Sequence, residues 1–489
     1  MRFTTAAFIS ALCLLMANVA TAETDLERER EIAEQVPLQI QRIPKVIPTA
    51  DELANPELYR PHNDWVYTPP AADTLPPPPE DAVLRPGEFD EMDSTLIAII
   101  SMGASYLTMW ADMVEAYQHG GHTYIVVAPN SGGLRNSMTS LFEGRGIAPE
   151  SYTYLEYPLD GIWIRDYGPE FGLQEDGTRF IFDSYYYGRP LDDVVPIAMA
   201  NDDWINEDGS PIPYYTTDHM LSGGNIMSDG KGTCFFSHIV YGYEKPYGWS
   251  DADVDNLMRD YLGCEQMIIL NSICLDGTGH IDLYAKLLTE NSILLSEFPS
   301  DTYFDSTVDS GQSYGHCSDP RFPNDYQDQE DNLAILEAST NVDGEPWQVT
   351  RLPMLEPYKD SYGDWIYRSH MNSQVFNGHV AMPSYYVAMV FGETADDLLD
   401  MEEAAAAAYE EAAPGIVVHP IDADHIIDQG GAIHCISHEI PAAKPWAGWP
   451  EPVVDAGVDS GTDTGGDDGC GCNALGTNNA PASLLSILL

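Results

Sequence analysis

The stretch Asp428-Gln429-Gly430-Gly431-Ala432-Ile433-His434-Cys435-Ile436-Ser437-His438-Glu439 organises the fold, because it places one cysteine directly behind a glycine pair. Glycine adopts backbone angles that a side chain forbids, and it lets a ligand approach the main chain closely. A lone cysteine is more often a buried structural residue. The alternative, a thiol at the floor of a tight pocket, requires acid and base groups nearby. Motifs upstream supply them.

The charge balance narrows the range of partners. The 489 residues include 78 acidic and 21 basic side chains, for a formal net charge of -57. A surface of this sign repels nucleic acid and anionic lipid and attracts cations. We therefore expect no nucleic-acid partner. The acidity fits a cationic substrate, and it also fits a general role in solubility.

Composition divides the chain into four parts. Residues 1–22 combine an apolar run with a small-residue cleavage site, which predicts a signal peptide. Residues 23–83 are rich in proline and predict an extended lead-in. Residues 84–442 predict a globular catalytic domain, and the acidic residues 443–489 are typical of a disordered tail. We expect an exported protein, secreted or held at the cell surface.

The tail carries Cys470-Gly471-Cys472 and ends in the apolar run Ala482 to Leu489. It resembles the cysteine-bearing surface-sorting tails of some Gram-negative bacteria, without their membrane segment and basic terminus. The apolar run is far shorter than the ~20 residues that a membrane span requires. We therefore expect no transmembrane span.

The cysteines indicate an oxidising compartment and a free thiol. Without Cys13, which lies in the predicted signal peptide, seven cysteines remain, at positions 234, 264, 274, 317, 435, 470 and 472. Disulfides persist outside the cytosol, and an odd number leaves at least one cysteine free or paired between chains. The spacings match no zinc pattern, so we expect no metal site.

Alternation of apolar helical patterns with short strand-like runs predicts an α/β fold. Helices are predicted near 105–118, 135–146, 193–205, 250–262, 324–339 and 396–413. Strands are predicted near 122–128, 178–184, 234–241, 265–270, 291–297 and 415–419. A weak internal repeat places Asp166 and Asp282 each six residues after another aspartate. If the repeated units are related by rotation, their loops converge on one axis.

Two motifs carry acid and base groups. Trp163-Ile164-Arg165-Asp166-Tyr167-Gly168-Pro169 contains an Arg–Asp pair that is either a plain ion pair at a loop or, beside Trp163, part of a pocket wall. Gly279-His280-Ile281-Asp282 has a histidine and an aspartate two residues apart. In a strand such residues point to the same face, so His280 and Asp282 are predicted to project together.

Two further segments offer polar groups. Ser222-Gly223-Gly224-Asn225 opens a glycine-rich loop that is either a bulge in a strand or a place where the backbone approaches a ligand. Ser369-His370-Met371-Asn372-Ser373 contributes Asn372, whose amide both donates and accepts hydrogen bonds.

One cysteine, one histidine and two aspartates together suit the chemistry of a guanidinium group. Two carboxylates, Asp166 and Asp282, would hold the planar cation by paired hydrogen bonds. The Cys435 thiolate would attack the central carbon, and His280 would protonate the departing ammonia and later activate water. Two buried carboxylates beside a thiolate are costly without a cation, so the empty site should have raised pKa values.

Five short motifs in order, RDYGP, GGN-x-M-x-DG, HID, an Asn-bearing strand and GGAIHC, resemble the pentein superfamily of guanidino-modifying enzymes. The similarity is to Porphyromonas-type peptidylarginine deiminases and their agmatine deiminase relatives. It implies ββαβ units about a pseudo-fivefold axis, an α/β propeller, with no metal or organic cofactor. It also implies that Cys435 is the nucleophile, His280 the acid and base, Asp166 and Asp282 the guanidinium ligands, and Asn372 a supporting residue.

Two departures from the family pattern limit the prediction of the substrate. Agmatine deiminases place a glutamate where this chain has Ser222, whereas peptidylarginine deiminases tend to carry two arginines for a C-terminal carboxylate, of which only Arg189 remains. Arginine-containing peptides or small guanidines are expected partners; agmatine deiminase and a non-catalytic surface protein that binds arginine-rich partners are the alternatives. The oligomeric state stays open. The predicted substrate-binding residues are Trp163, Arg165, Asp166, Arg189, Gly223, Gly224, Asn225 and Asp282.

Overall fold

The computed structural model describes residues 77–443, with gaps at 102, 187–188, 202–210, 218, 220, 243–248, 274–275, 299–324, 360–364 and 391. The predicted signal peptide, the lead-in as far as residue 76 and the tail from residue 444 lie outside the described residues. Their assignments stay predictions.

The strands are β1 (Val83–Leu84), β2 (Met92–Ile99), β3 (His122–Val127), β4 (Tyr152–Glu156), β5 (Glu170–Gln174), β6 (Arg179–Asp183), β7 (Tyr214–Thr216), β8 (Met227–Ser228), β9 (Thr233–Ser237), β10 (Gln266–Leu270), β11 (Ala285–Leu287), β12 (Ser292–Glu297), β13 (Gln348–Pro353), β14 (Tyr358–Lys359), β15 (Trp365–Ile366), β16 (Gln374–Phe376), β17 (His379–Ser384), β18 (Val417–Asp422) and β19 (Ser437–Pro441). The helices are α1 (Ala104–Tyr117), α2 (Gly132–Arg145), α3 (Ile164–Tyr167), α4 (Pro190–Asp193), α5 (Val195–Asn201), α6 (Ile239–Gly242), α7 (Asp251–Leu262), α8 (Asp325–Ala338), α9 (Ala395–Ala412) and α10 (Asp424–Ile427). Short 3-10 helices lie at Pro149–Ser151, Gly223–Asn225, Ile281–Leu283 and His434–Ile436.

One topology recurs in five sheets of the described chain. In each, a first strand runs antiparallel to a second, a helical segment follows, and a third strand returns parallel to the second. A parallel return needs a crossover of this kind, whereas the antiparallel pair needs only a short turn. We call the sheets unit 1 (β5, β6, β7), unit 2 (β8, β9, β10), unit 3 (β11, β12, β13), unit 4 (β16, β17, β18) and unit 5 (β19, β2, β3).

Unit 5 is assembled from both ends of the described chain. Its first strand, β19, comes last in the sequence and pairs antiparallel with β2, and α1 then leads to β3, which is parallel to β2. β4 extends this sheet, and β1 extends the sheet of unit 1. The predicted α/β fold with five ββαβ units is therefore confirmed.

The helices follow the sequence signals closely. α7 and α9 both begin with a capping box, Ser250 with Asp253 and Thr394 with Asp397, and these side chains satisfy free backbone N–H groups at the helix start. α7 ends at Gly263, whose φ of 68° is accessible to glycine at little cost. The predicted helix near 193–205 is instead divided into α4 and α5, and its end at 202–205 lies outside the described residues.

Two strand predictions were wrong in part. The apolar run predicted as one strand near 234–241 is β9 followed by the short helix α6. A continuous apolar run cannot be assigned to strand or helix by periodicity alone. His280 and Asp282 do not lie in a strand: Ile281–Leu283 is a 3-10 helix with His280 at its start. Their side chains nevertheless reach the same site.

One disulfide bond links Cys234 in β9 to Cys264, directly after α7. Cys435 is the free cysteine of the described residues. Cys274, Cys317, Cys470 and Cys472 lie outside the described residues. No described helix is long and apolar enough to cross a membrane.

Candidate active site

Each sequence motif occupies the same place in its unit, immediately before the first strand. α3 precedes β5, the 3-10 helices at 223–225, 281–283 and 434–436 precede β8, β11 and β19, and the bend at Asn372 precedes β16. α3 packs against the 3-10 helices at 223–225 and 434–436, and the helix at 223–225 contacts that at 281–283. The five-unit topology therefore brings residues far apart in the sequence to one centre.

Asn372 holds the cysteine at this centre. Cys435 is 3 % exposed, and its Sγ lies 3.3 Å from Asn372 Nδ2 and 3.4 Å from Asn372 Oδ1. Asn372 Oδ1 also accepts a hydrogen bond of 3.0 Å from the Ala432 N–H, and the Asn372 carbonyl accepts one of 2.9 Å from the His434 N–H. Asn372 stands in a bend, not in the predicted strand. Its side chain and backbone fix the loop that carries the thiol.

Asp282 also lies near the sulfur. Its Oδ2 is 3.8 Å from Cys435 Sγ and accepts a hydrogen bond of 2.6 Å from His434 Nδ1. The other ring nitrogen of His434, Nε2, is 3.2 Å from Glu88 Oε1. A buried lysine, Lys286, donates to Glu88 Oε2 at 2.7 Å. A line of close polar contacts thus runs from Lys286 through Glu88 and His434 to Asp282.

Asp166 and His280 complete the centre. His280 Nδ1 is 3.6 Å from Asp166 Oδ1, which also accepts a hydrogen bond of 3.4 Å from the Gly224 N–H. Both ring nitrogens of His280 and the second oxygen of Asp166 are buried without a hydrogen-bond partner among the described residues. Buried polar groups are normally paired. Unpaired donors and acceptors at one point indicate a place for a polar ligand.

The two aspartates are in different protonation environments. Burial, and then the negative charge of Asp282, raise the pKa of Asp166 well above its ordinary value. Burial alone would raise the pKa of Asp282 too, but the hydrogen bond and charge of His434, with His280 and Lys286, bring it below its ordinary value. The expectation of raised pKa values is therefore right for Asp166 and wrong for Asp282, because the sequence did not reveal the histidine partner.

The thiol and the histidine are both uncharged at neutral pH in this arrangement of side chains. Burial, followed by the charges of Asp282 and Asp166, raises the pKa of the Cys435 thiol well above its ordinary value. Burial lowers the pKa of His280 to about 4. A cation bound beside the aspartates would favour the thiolate, because it offsets the negative charge that now opposes ionisation.

Two glycines leave room for these side chains. A Cβ on Gly224 would lie 2.5 Å from His280 Nδ1 and 3.1 Å from an oxygen of each aspartate, Asp166 and Asp282. A Cβ on Gly431 would lie 2.8 Å from Cys435 Sγ and 2.9 Å from Trp163 Cζ3. The second glycine of each pair, Gly224 and Gly431, is therefore explained by close approach to reactive groups. Trp163 is buried against the cysteine loop, as a pocket wall requires.

Arg165 does not face the site, and its assignment as a substrate ligand is corrected. Its guanidinium donates to Glu439 Oε2 at 2.7 Å, to Gln374 Oε1 at 2.5 Å and to the His434 carbonyl at 3.4 Å. These acceptors belong to the protein interior, and Arg165 is 1 % exposed. The alternative of a plain Arg165–Asp166 ion pair is also wrong, because Arg165 pairs with Glu439 and Glu88. Asp166 instead lies against His280.

Asn225, Gly223 and Arg189 all make contacts within the protein. The Asn225 side chain accepts a hydrogen bond of 2.9 Å from the Ser237 N–H, which ties its loop to β9. Gly223 packs on the Arg165 carbonyl rather than on the reactive groups. Arg189 is buried, with Nη1 4.0 Å from Asp192 Oδ2, next to Gly161. These contacts lie within the protein, and the substrate-binding roles of the three residues stay predictions.

Sequence reasoning missed Glu88, His434, Lys286 and Tyr186. His434 stands in the decisive stretch but was given no role, and its adjacency to the cysteine was the available signal. Glu88 and Lys286 come from segments with no local pattern. Tyr186 is buried, and burial, followed by the charge of Asp166, raises its pKa well above the ordinary value.

Five ββαβ units around a buried cysteine, histidine and aspartate pair define the class to which the chain belongs, the α/β fold of the pentein deiminases. The sequence profile of the Porphyromonas-type peptidyl-arginine deiminase family matches residues 98–441. This match spans well over half of the chain. The protein belongs to this family of hydrolases, which act on the C–N bonds of guanidino groups.

Individual relatives agree with this family assignment. A Streptomyces coelicolor protein named "Putative agmatine deiminase" is 28% identical over 297 residues, covering 59% of this chain and 78% of its own. The agmatine deiminase of Enterococcus faecalis has the same fold, with a TM-score of 0.56 at 19% identity, covering 77% of this chain and 99% of the other. A substrate-bound C. jejuni agmatine deiminase carrying a cysteine-to-serine substitution gives a TM-score of 0.55 at 15% identity, covering 74% of this chain and 97% of the other.

Proposed function

We propose that this protein hydrolyses the guanidino group of arginine in peptides, or of a small guanidine, to a ureido group and ammonia. One observation carries the proposal: a free cysteine, a neutral histidine and two aspartates of opposite pKa shift surround one buried point. Such a site is short of positive charge. A guanidinium supplies that charge, and its planar N–H groups match two carboxylates.

The chemical steps balance with water as the only co-reactant. The guanidinium binds to Asp166 and Asp282, and the Cys435 thiol passes its proton to His280. The thiolate attacks the central carbon, the C–N bond breaks, and His280 gives its proton to the departing ammonia. Water then loses a proton to His280 and attacks the thiouronium carbon, and the C–S bond breaks. The ureido product gives its extra proton to the departing thiolate, which restores the thiol, and His280 releases the proton from water to solvent.

The family and Ser222 support peptidyl-arginine as the substrate. Relatives named agmatine deiminase support agmatine as the alternative. Export is part of the proposal too, since residues 1–22 have the composition of a signal peptide and the Cys234–Cys264 disulfide suits an oxidising compartment.

The test is release of ammonia and ureido product from the purified chain, with free arginine, agmatine, an internal-arginine peptide and a C-terminal-arginine peptide. Turnover of the peptides is expected, and the Cys435→Ser variant should be folded but inactive. Turnover of agmatine alone would move the protein to the alternative. Failure on all four substrates, or activity retained by Cys435→Ser, would overturn the proposal; silence with binding of the peptides would indicate a non-catalytic binder.

A further inference from the structure

His434, the neighbour of the cysteine, has both ring nitrogens against carboxylates. Nδ1 is 2.6 Å from Asp282 Oδ2, and Nε2 is 3.2 Å from Glu88 Oε1. A neutral imidazole donates from one nitrogen and presents a lone pair at the other. A lone pair facing a carboxylate oxygen at either distance is repulsive. Only the imidazolium form, which donates from both nitrogens, satisfies the two contacts.

Glu88 is ionised in this arrangement. Burial opposes its charge, but the charges of Lys286 and His434 outweigh burial and lower the pKa of Glu88 to about 2. Glu88 Oε1 is also 3.5 Å from Arg165 Nη2. Lys286 is fully buried, and its ammonium contacts Glu88. Two fixed cations on one side hold Glu88 as an anion, which in turn holds the imidazolium.

We propose that His434 is a positioning residue, held as an imidazolium between Glu88 and Asp282, that orients the Asp282 carboxylate and keeps it in the anionic form needed to bind a guanidinium. The proposal deepens the function proposed above and rests on it. It also gives the two aspartates separate roles. Asp282 is a standing anion, whereas Asp166 becomes one when the substrate arrives.

Removing the positive charge of His434 should shift the pKa of each neighbouring acid in the same direction. The titratable and charged groups around this point are Asp282, Asp166, Cys435, His280, Glu88 and Glu439, with Lys286 and Arg165 beside Glu88. Loss of the positive charge at His434 makes every neighbouring acid easier to protonate. Ionisation of the Cys435 thiol and the acid limb of kcat/KM must therefore both move to higher pH.

His434→Gln removes the charge, and His438→Gln is its matched control. His438 is equally buried, four residues further on, and its Nε2 is 3.5 Å from Glu170 Oε1. Within the described part of the chain it contacts neither Asp282 nor Cys435. Both substitutions replace a buried imidazole beside a carboxylate, so they share any general cost to folding.

The first readout is independent of turnover: the pH dependence of Cys435 alkylation by iodoacetamide, followed by mass spectrometry of its peptide. We expect the midpoint to move up by about one to two pH units in His434→Gln and to stay in place in His438→Gln. An unchanged midpoint in His434→Gln, or an equal shift in both variants, would show that His434 has no specific role.

The second readout is kcat/KM against pH. His434→Gln should shift the acid limb upwards by a similar amount and lower kcat/KM near pH 7 by roughly ten- to a hundredfold. A uniform loss without a shift would indicate a merely structural residue. If the wild-type chain has no deiminase activity, the proposed function fails while alkylation still decides the role of His434.

If His434→Gln does not fold, the protonation of His434 can be tested in the His438→Gln chain. Its nitrogen-15 spectrum should retain a histidine with both ring nitrogens protonated at about pH 8, where an ordinary imidazole is neutral. A spectrum containing only neutral imidazoles at that pH would overturn the proposal.

Discussion

Gly224 lies where a methyl group would meet the reactive side chains. Its hypothetical Cβ is 2.5 Å from His280 Nδ1 and 3.1 Å from an oxygen of Asp166 and of Asp282. We expect Gly224→Ala to lower kcat/KM by about a hundredfold or more, since displacements of this kind misplace the acid, the base and the substrate. Steady-state kinetics on the best substrate measures the loss.

Gly133→Ala is the control for that substitution. Gly133 lies in α2 with nothing within 4 Å of its Cβ position. Alanine in a helix should stabilise the protein by about 0.4–1 kcal/mol and leave kcat/KM unchanged. If Gly224→Ala behaves like Gly133→Ala, the pocket at His280 is looser than the structure shows.

Asp166 holds a proton that a bound cation should displace. Its pKa is raised in the empty site, chiefly by burial, so the carboxyl is protonated below that raised value. Guanidinium binding favours the carboxylate; affinity should therefore rise with pH by up to about tenfold per unit and level off above the raised pKa. Binding to Cys435→Ala should release up to one proton, as calorimetry in buffers of different ionisation enthalpy would measure.

The control for proton release is Asp166→Asn in the same Cys435→Ala background. That variant has no carboxyl to deprotonate, so release should vanish and the remaining affinity should lose most of its pH dependence. Equal release from both chains would locate the proton elsewhere in the site.

At the residue scale, the sequence motifs identified the reactive side chains that meet at the site. They did not identify the residues that contact and position those side chains. Cys435, His280, Asp166 and Asp282 stood out because few residue types combine into this chemistry. Glu88 carried no such signal, since its position 3.2 Å from His434 joins segments more than 300 residues apart. Arg165 was misassigned for the same reason: its acceptors are Gln374 and Glu439.

Arg165 joins three structural elements. From α3 its guanidinium reaches Gln374 at the start of β16, Glu439 in β19 and the carbonyl of His434 in the cysteine loop. Arg165→Met should remove the nearer of the two arginine partners of the buried Glu439, the other being Arg85 at 3.6 Å, so we expect a loss of about 3–5 kcal/mol in the free energy of unfolding. Urea unfolding followed by circular dichroism provides the measurement.

Arg145 offers the matched surface case. Its guanidinium pairs with Asp112 and Glu115 between α2 and α1, and its side chain is 23% exposed. Arg145→Met should cost at most about 1 kcal/mol, because exposed ion pairs contribute little. Equal losses in the two variants would contradict a special role for Arg165 in clamping the units together.

At the element scale, prediction succeeded where a local signal marks an element and failed where geometry is set by distant contacts. α7 and α9 begin at a serine and a threonine with an aspartate three residues on, a signal readable from the sequence. The segment from His280 to Asp282 looks like an alternating strand, yet it turns as a 3-10 helix because its neighbours are the site segments of other units.

For the whole molecule, the order of the motifs predicted the repeated topology. It did not predict that the last strand, β19, pairs with β2 and completes unit 5. The internal repeat linked only Asp166 with Asp282, which are the site positions of units 1 and 3. Nothing local predicts that β19 pairs with β2, because hydrophobic pattern fixes which face of a strand is buried but not its distant partner. That pairing places Cys435 beside residues from the other four units.

The Cys234–Cys264 disulfide tests how unit 2 contributes to the stability of the whole. It closes a segment with a sequence separation of 30 residues that contains α7, from β9 to the residues before β10. Constraint of the unfolded chain by a loop of this size is worth about 3–4 kcal/mol. We expect dithiothreitol to lower the free energy of urea unfolding by that amount. Activity in native buffer should persist, because neither cysteine contacts the site.

The Cys234→Ala/Cys264→Ala double variant should be destabilised to the same degree and should lose this response to dithiothreitol. A full response in the double variant would assign the stabilisation to other cysteines. No response in the parent chain would mean that the bond adds nothing to a unit already held by its sheet and helix.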